Sequence, residues 1–356
     1  MAAGKIKRLR SRFVFMKALW VCFACALYAD FCFAQDSIPL QPNDRQIYRV
    51  ETVDGIKFTG ILIYEEEDWM QFQTRSLGEV SVLKSKIKAL RRLSPEDLRN
   101  GEYWCPDPAY LHYMLSPTAL PTKKGEGSYN NFYLAIHGFD VGVSEHLSFG
   151  GGGELLSPLL DRSKPELFYL NGKYCFTAGP KISLAGGAMY LNSGFSLGDA
   201  EGSSNVLGFA LATFGSRDNN VTLGAGWGYR STSFEDPFSW KMRTDSRFLR
   251  KPVLTFSAIS RIGKHFSLMT ENWIFPVRDE TVSYYYHNVK LAYEYYFVFT
   301  YGVRFFTERF SADAGLLNNS DIIHSFPTGI PYIGMRVKLG GRRQVDDRDW
   351  EFPGKH

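Results

Sequence analysis

From about Tyr110 to Leu339 the pattern repeats: segments of roughly ten residues alternate apolar side chains with Gly or polar ones, separated by turn residues. Val221, Leu223, Ala225, Trp227 and Tyr229 oppose Thr222, Gly224, Gly226, Gly228 and Arg230. Phe139, Val141 and Val143 oppose Asp140, Gly142 and Ser144, and Leu147, Phe149 and Leu155 oppose Ser148, Gly150, Gly152 and Glu154. Tyr295, Phe297, Phe299, Tyr301, Val303 and Phe305 oppose Thr300, Gly302 and Arg304. A period of two sustained in this way specifies strands with two chemically different faces. No helix-period segment of comparable length competes with it.

Alternation does not name the solvent, because a soluble sandwich also has one apolar face, packed inward. Connection length does. Short turns fall at 144–146, 178–180, 216–219, 263–265 and 308–309, and longer connections at 157–166, 193–204, 231–251, 278–294 and 318–330. Outer-membrane barrels show this asymmetry, with short turns at one rim and long loops at the other. The five short turns define ten strands beginning near Asn131, and Ile330–Leu339 makes an eleventh. A further crossing is needed, and Tyr110–Leu120 is the candidate, with Pro121–Ser128 as its outer loop; Pro117 is its weakness, since it removes a ladder hydrogen bond. The expected fold class is therefore all-β, a transmembrane antiparallel β-barrel of about twelve strands over 110–339, an even number as such barrels require. Lipid offers the backbone no hydrogen-bond partners, so a sheet within it must close on itself. Tyr190, Trp227, Tyr229, Trp273 and Phe275 are candidates for aromatic girdles at the two interfaces.

The first residues supply an address. Lys5, Lys7, Arg8, Arg10, Arg12 and Lys17 form a basic head, Ala18–Ala29 is an uninterrupted apolar stretch, and Cys32-Phe33-Ala34 ends it. This is the pattern of a secretory signal peptide over 1–34, too short in its apolar part to span a bilayer. Met16-Lys17 offers a second natural start. An uncleaved anchor and a lipoprotein are the alternatives, and Phe31 before Cys32 and Phe23 near Cys25 count against the latter. The whole chain carries 41 Lys+Arg against 37 Asp+Glu; the signal holds six of the first and one of the second, leaving a mature net charge of −1. The apparent basicity is targeting, so no nucleic-acid partner follows from it. Cys22 and Cys25 have metal or redox spacing but lie in the signal, leaving Cys105 and Cys175 in the mature chain.

Residues 46–93 form a distinct unit. Five short strands, with a strong turn at Asp54-Gly55 and a bend at Gly60, suggest a small five-stranded SH3-like or Sm-like barrel. The segment resembles the first motif of the Sm fold at Asp54-Gly55, Phe58 and Gly60, but Gln71 stands where that family places an RNA-binding Asn. A docking module for a periplasmic protein is the expectation. Ser94-Pro-Glu-Asp97 is a capping box that predicts a short helix through Arg99, and 101–109, with Trp104-Cys105-Pro106 and Pro108, reads as a linker. Residues 340–356 form a polar tail.

With the apolar face outward, Asp140, Glu154, Lys173, Arg230, Arg304, Asp313, Arg336 and Lys338 face the lumen as candidate site residues. Charges of both signs either line a water path or pair and plug it. A structural or interaction role is the main expectation, and a pore or transporter for small solutes the alternative. An enzyme is the competing class: twelve-stranded outer-membrane phospholipases place a His and a Ser on the lipid side, and His137 shares the parity of Phe139, but no Ser motif accompanies it. With no zinc-binding helix, phosphate loop or dinucleotide fingerprint, neither catalysis nor a cofactor is expected. Aromatic loops at 231–251 (Phe234, Phe238, Trp240) and 284–296 (Tyr284, Tyr285, Tyr286, Tyr293, Tyr295, Tyr296) raise a receptor reading.

Residues 332–339 resemble the terminal-strand signal read by barrel-assembly machinery, with Leu339 in place of the usual aromatic. The chain as a whole resembles uncharacterised outer-membrane barrels of Bacteroidota-type Gram-negative bacteria, on the small leading domain and the segments 116–127, Glu271-Asn272-Trp273, Asn318-Asn-Ser-Asp321 and Gly329-Ile-Pro-Tyr332. The resemblance implies residence in the outer membrane, among its lipids, and no defined chemistry.

Overall fold

The computed structural model describes residues 46–93, 97–99, 102–159, 167–193, 200–235, 242–283, 288–319 and 328–340; the signal segment, the tail from 341 and the loop aromatics Phe238, Trp240 and Tyr284–Tyr286 lie outside them. The described chain divides into two compact units, which meet between Pro106 and Asp107.

The first unit is built on β1 (Ile47–Thr52), β2 (Lys57–Glu65), β3 (Trp69–Thr74), β4 (Gly78–Leu83) and β5 (Ile87–Arg92). They form an antiparallel sheet in the order β4-β3-β2-β1-β5. Gly55 turns the first hairpin at φ +84°, a conformation that glycine adopts without a Cβ clash. Val50, Met70 and Phe72 form the core, with Tyr48, Phe58, Leu62, Ile87 and Leu90 packed on it. A Cβ at Gly60 would lie 3.0 Å from the Phe72 Cβ, so the bend there depends on glycine. No pairing of β4 with β5 closes the ring among the described residues, so the expected small barrel is here a five-stranded sheet. Of the helix expected through Arg99, residues 94–96 lie outside the described residues; Leu98–Arg99 form β6, which pairs with β7 (Glu102–Tyr103).

The second unit is a closed antiparallel barrel. Its strands are β8 (Glu126–Phe132), β9 (Ile136–Gly142), β10 (Leu147–Glu154), β11 (Leu167–Gly179), β12 (Ile182–Ser193), β13 (Ala200–Gly215), β14 (Asn219–Glu235), β15 (Met242–Phe248), β16 (Val253–Arg261), β17 (Phe266–Ser283), β18 (Asn288–Phe306), β19 (Phe310–Asn319) and β20 (Ile330–Gly340). β14 pairs with β16 over Asn219–Gly226 and with β15 over Tyr229–Glu235. β15 and β16 are thus two pieces of one wall strand, interrupted around Pro252, and the wall has twelve strands. β20 closes the ring on β8, from Gly334↔Phe132 to Gly340↔Glu126.

The twelfth strand is not the one expected. Tyr110–Leu120 is no part of the wall, and β8 takes the place assigned to it. The residues that were to begin one strand near Asn131 instead turn a tight hairpin. Tyr133 and Leu134 both have positive φ, 54° and 60°, and Ala135 N–H donates to the Phe132 carbonyl at 3.1 Å. This is the geometry of a type I′ turn, whose usual signal is Asn-Gly. Tyr-Leu hides it. Three expected loops are also partly strand: Gly202–Ser204 pairs with Ser231–Ser233, Ser231–Glu235 pairs with Met242–Ser246, and β17 and β18 stay paired out to Ser283↔Asn288.

The two faces of the wall are inverted relative to a soluble protein. Phe139, Leu170, Tyr174, Val206, Leu223, Trp227 and Ile333 are among the exposed large hydrophobics, while Thr222, Ser257, Glu271, Arg304, Asp313 and Arg336 are buried. Alternation along each strand sends the first set outward and the second into the lumen.

Candidate functional site

The lumen is occupied by the chain itself. Residues 107–125 precede the first wall strand and fold into a compact hairpin bridged at His112↔Pro117. Thr118 N–H donates to the Leu111 carbonyl at 2.8 Å and Tyr113 N–H to that of Ser116 at 2.9 Å. Tyr113, Met114, Ser116, Thr118 and Ala119 are buried. Pro117 and the absence of two-faced alternation in Tyr-Leu-His-Tyr-Met-Leu-Ser-Pro explain why this segment makes no wall strand. Its backbone polar groups still need partners once water is excluded, and the barrel wall supplies them.

Arg304 donates to most of the plug's backbone acceptors. Its guanidinium grips Asp313 with two bonds, 2.7 and 3.0 Å, and Asp107 at 3.0 Å. It also donates to the carbonyls of Ala109, His112 and Tyr113 at 2.9–3.1 Å. Arg336 bridges Asp313 to the Met114 carbonyl, which also accepts the Tyr332 hydroxyl at 2.7 Å. Lys173 donates to the Thr118 carbonyl at 2.7 Å. For the donor side, Glu271 accepts the amides of Leu115 and Ser116 at 2.9 and 3.0 Å and the Trp273 indole at 2.6 Å. The Thr213 hydroxyl accepts the Ala119 amide at 2.7 Å, and the Tyr113 phenol bonds the Asn220 and Thr222 side chains. The Met114 side chain sits on Gly302 and Gly315, where added Cβ atoms would come within 2.5 and 2.6 Å of its Cε.

Of the eight candidate charges, Arg304, Asp313, Arg336 and Lys173 therefore hold the plug or its anchors. Asp140 is held by Asn130 and lies 3.7 Å from His112 Nε2. Lys338 pairs with Glu126 at 2.9 Å. Glu154 is buried and accepts the Ser157 amide at 2.6 Å. Arg230 is exposed and donates to Thr232 at 3.1 Å. Reasoning from alternation missed Asp107, Glu271, Thr213 and Tyr332 because their role depends on a partner segment that a strand pattern does not place. The girdle expectation is corrected at Trp273 and Phe275, which stack on each other at 5.6 Å and line the lumen. Trp227 and Tyr229 are exposed, and Tyr190 packs against Phe168. His137 bonds the Tyr129 hydroxyl at 2.6 Å and Asn131 at 3.2 Å, with no serine among those partners. Cys105 and Cys175 are both buried thiols.

Beside the plug lies a cavity of about 510 Å³. Its polar lining includes Asp140, Asn171, Lys173 and the plug's His112, and its apolar lining Leu191, Leu207, Phe209, Val253, Phe275 and Val298.

No family model and no curated protein matches the chain. Among solved structures, the NanC porin is 9% identical, with 61% of this chain and 98% of that one covered and a TM-score of 0.37. The translocator domain of the autotransporter NalP from Neisseria meningitidis is 11% identical, with 61% and 86% covered and a TM-score of 0.34. The CymD monoaromatic hydrocarbon channel is 9% identical, with 83% and 87% covered and a TM-score of 0.26. At these scores the class, a closed twelve-stranded barrel, stands on the chain's own strand pairing.

Proposed function

We propose that this chain is an outer-membrane barrel that works as a gated passage for small solutes, with residues 107–125 as its gate. The inverted faces support residence in lipid: exposed Phe139, Leu170 and Ile333 would be costly in water and are at home in hydrocarbon. The observation that carries the gate is the mode of anchoring. The plug is held mainly through its backbone carbonyls and amides by single side chains reaching from the wall, with the Asp107 carboxylate and the Tyr113 phenol adding side-chain bonds, so it can leave without unfolding any strand pair. We further propose that residues 46–93 serve as a periplasmic docking module. Their β4-β3-β2-β1-β5 order, with one helical turn at Lys84–Lys86 before β5, supports an SH3-like ancestry. The proposal includes no catalytic step.

Planar-bilayer conductance tests it. The full chain gives small or no steps, whereas a variant with Tyr110–Leu120 replaced by a Gly-Ser linker of equal length opens steadily. Equal conductance in the two proteins, whether high or absent, would rule out the plug as a gate.

A further inference from the structure

The same face of the same strands changes chemistry along the barrel. On β12, β13, β16, β17 and β18, the inward positions beside the plug mix buried polar Ser183, Thr213, Ser257, Glu271 and Thr300 with buried apolar Ala185, Leu211, Ile259 and Met269. Further along, towards the rim with the longer connections, that face becomes Leu191, Leu207, Phe209, Val253, Phe275 and Val298. An aqueous lumen gives no reason for such a change, because apolar side chains facing water contribute nothing to wall pairing and cost free energy by exposure. A cavity that takes an apolar guest does. We propose that this cavity binds an uncharged small molecule with a hydrocarbon body and one hydrogen-bonding group.

Three features define that class. The volume, about 510 Å³, falls within the range of small-molecule pockets, roughly 300–1,000 Å³. The charged residues of the lining are Glu126, Asp140, Lys173 and Lys338, so the formal charges cancel. Each already has a partner: Lys338 with Glu126, Lys173 with the Thr118 carbonyl and Asp140 with Asn130. An ionic ligand would have to break one of these contacts while leaving water, whereas a hydroxyl or amide loses much less on entry. Asn171 and His112, in the polar lining, offer both donors and acceptors to such a group. The inference deepens the gated-passage reading, since the plug's own His112 and Leu115 form part of the lining.

The test uses the full chain in lipid nanodiscs and 10-bromodecan-1-ol, a neutral chain whose bromine quenches nearby indoles. Trp273 lines the cavity and Trp227 is exposed on the opposite face of the wall. The expected result is a saturable quenching component that decan-1-ol displaces, that disappears in Trp273→Phe and that persists in Trp227→Phe. Phe209→Glu should weaken the component roughly tenfold or more, because a buried carboxylate has no partner there. Heat-modifiable migration verifies that the variant is folded, and Leu191→Gln is the milder substitute, with a smaller loss expected. Quenching that never saturates, or that is the same in Trp273→Phe, overturns the site. Binding of 10-bromodecanoate as tight as that of the alcohol overturns the uncharged class. Saturable binding with no conductance after plug replacement would sink the passage reading and leave the ligand site standing.

Discussion

At Arg304 one guanidinium, fully buried, satisfies two carboxylates and three backbone carbonyls. Charge-assisted, bidentate contacts of this kind are the strong ones, and their removal leaves the partners buried and unpaired. Arg304→Met strands Asp107 and Asp313, although Arg336 still reaches the latter. The expected loss is about 3–5 kcal/mol of barrel unfolding free energy in lipid, read from urea titration by tryptophan emission. Arg304→Lys should recover only part of it, since an ammonium cannot span Asp313 in two bonds. A smaller steric change isolates the plug from the charge network. Gly302→Val places a side chain where the Ala314 carbonyl and the Met114 Cε already stand, 2.4 and 2.5 Å from the added Cβ. Increased cleavage of the plug by an added protease, with the barrel still heat-modifiable, is the expected readout, and unchanged protection would show that Met114 is not seated there.

Among the elements, those with long regular alternation were legible from sequence and those whose structure depends on a partner were not. β14 over Val221–Arg230 and β18 over Phe299–Phe305 alternate apolar with small or polar residues, and the structure pairs β14 with β13 and β18 with β17 through these stretches. The inward charges of β18, β19 and β20 follow from the same parity, so Arg304, Asp313 and Arg336 could be found before any coordinates. The plug could not, because its hydrogen bonds go to side chains far away in sequence: Glu271 lies 155 positions from Ser116, and Tyr332 lies 218 from Met114. Ser116 of the plug and its wall anchors Glu271 and Tyr332 come from three widely separated segments. The β8–β9 turn was invisible for a local reason, since neither Tyr133 nor Leu134 favours the left-handed region. That strain makes a prediction for the element. Replacing Tyr133-Leu134 with Asn-Gly should raise the barrel's unfolding free energy by about 1 kcal/mol, less whatever the lost contact of Tyr133 with Tyr332 contributes. A loss in the urea titration would mean that those rings, rather than the turn, hold the rim.

For the whole molecule the decisive quantity is the sign of the preference of its outer face. In water, a ring of exposed Phe, Leu, Tyr and Trp drives aggregation; in hydrocarbon the same ring is the solvent contact that a closed ladder permits. A polar interior closed to water has to supply its own partners, as the plug's bonds and the paired inward charges do. Two measurements separate this from a soluble barrel with an unused face. Boiling should slow the migration of the membrane-extracted protein in detergent gels, because a closed ladder resists the detergent until it is heated. Leu223→Arg, on the outward face of β14, should destabilise the barrel in lipid by about 2–4 kcal/mol if the residue lies near the bilayer midplane, with the cost falling towards either interface. Leu223→Phe, which keeps the face apolar, should change it little. An arginine tolerated at Leu223 and equally at Leu170 on β11 and Val206 on β13 would mean that water or protein covers this surface, and the passage would then have no membrane to cross.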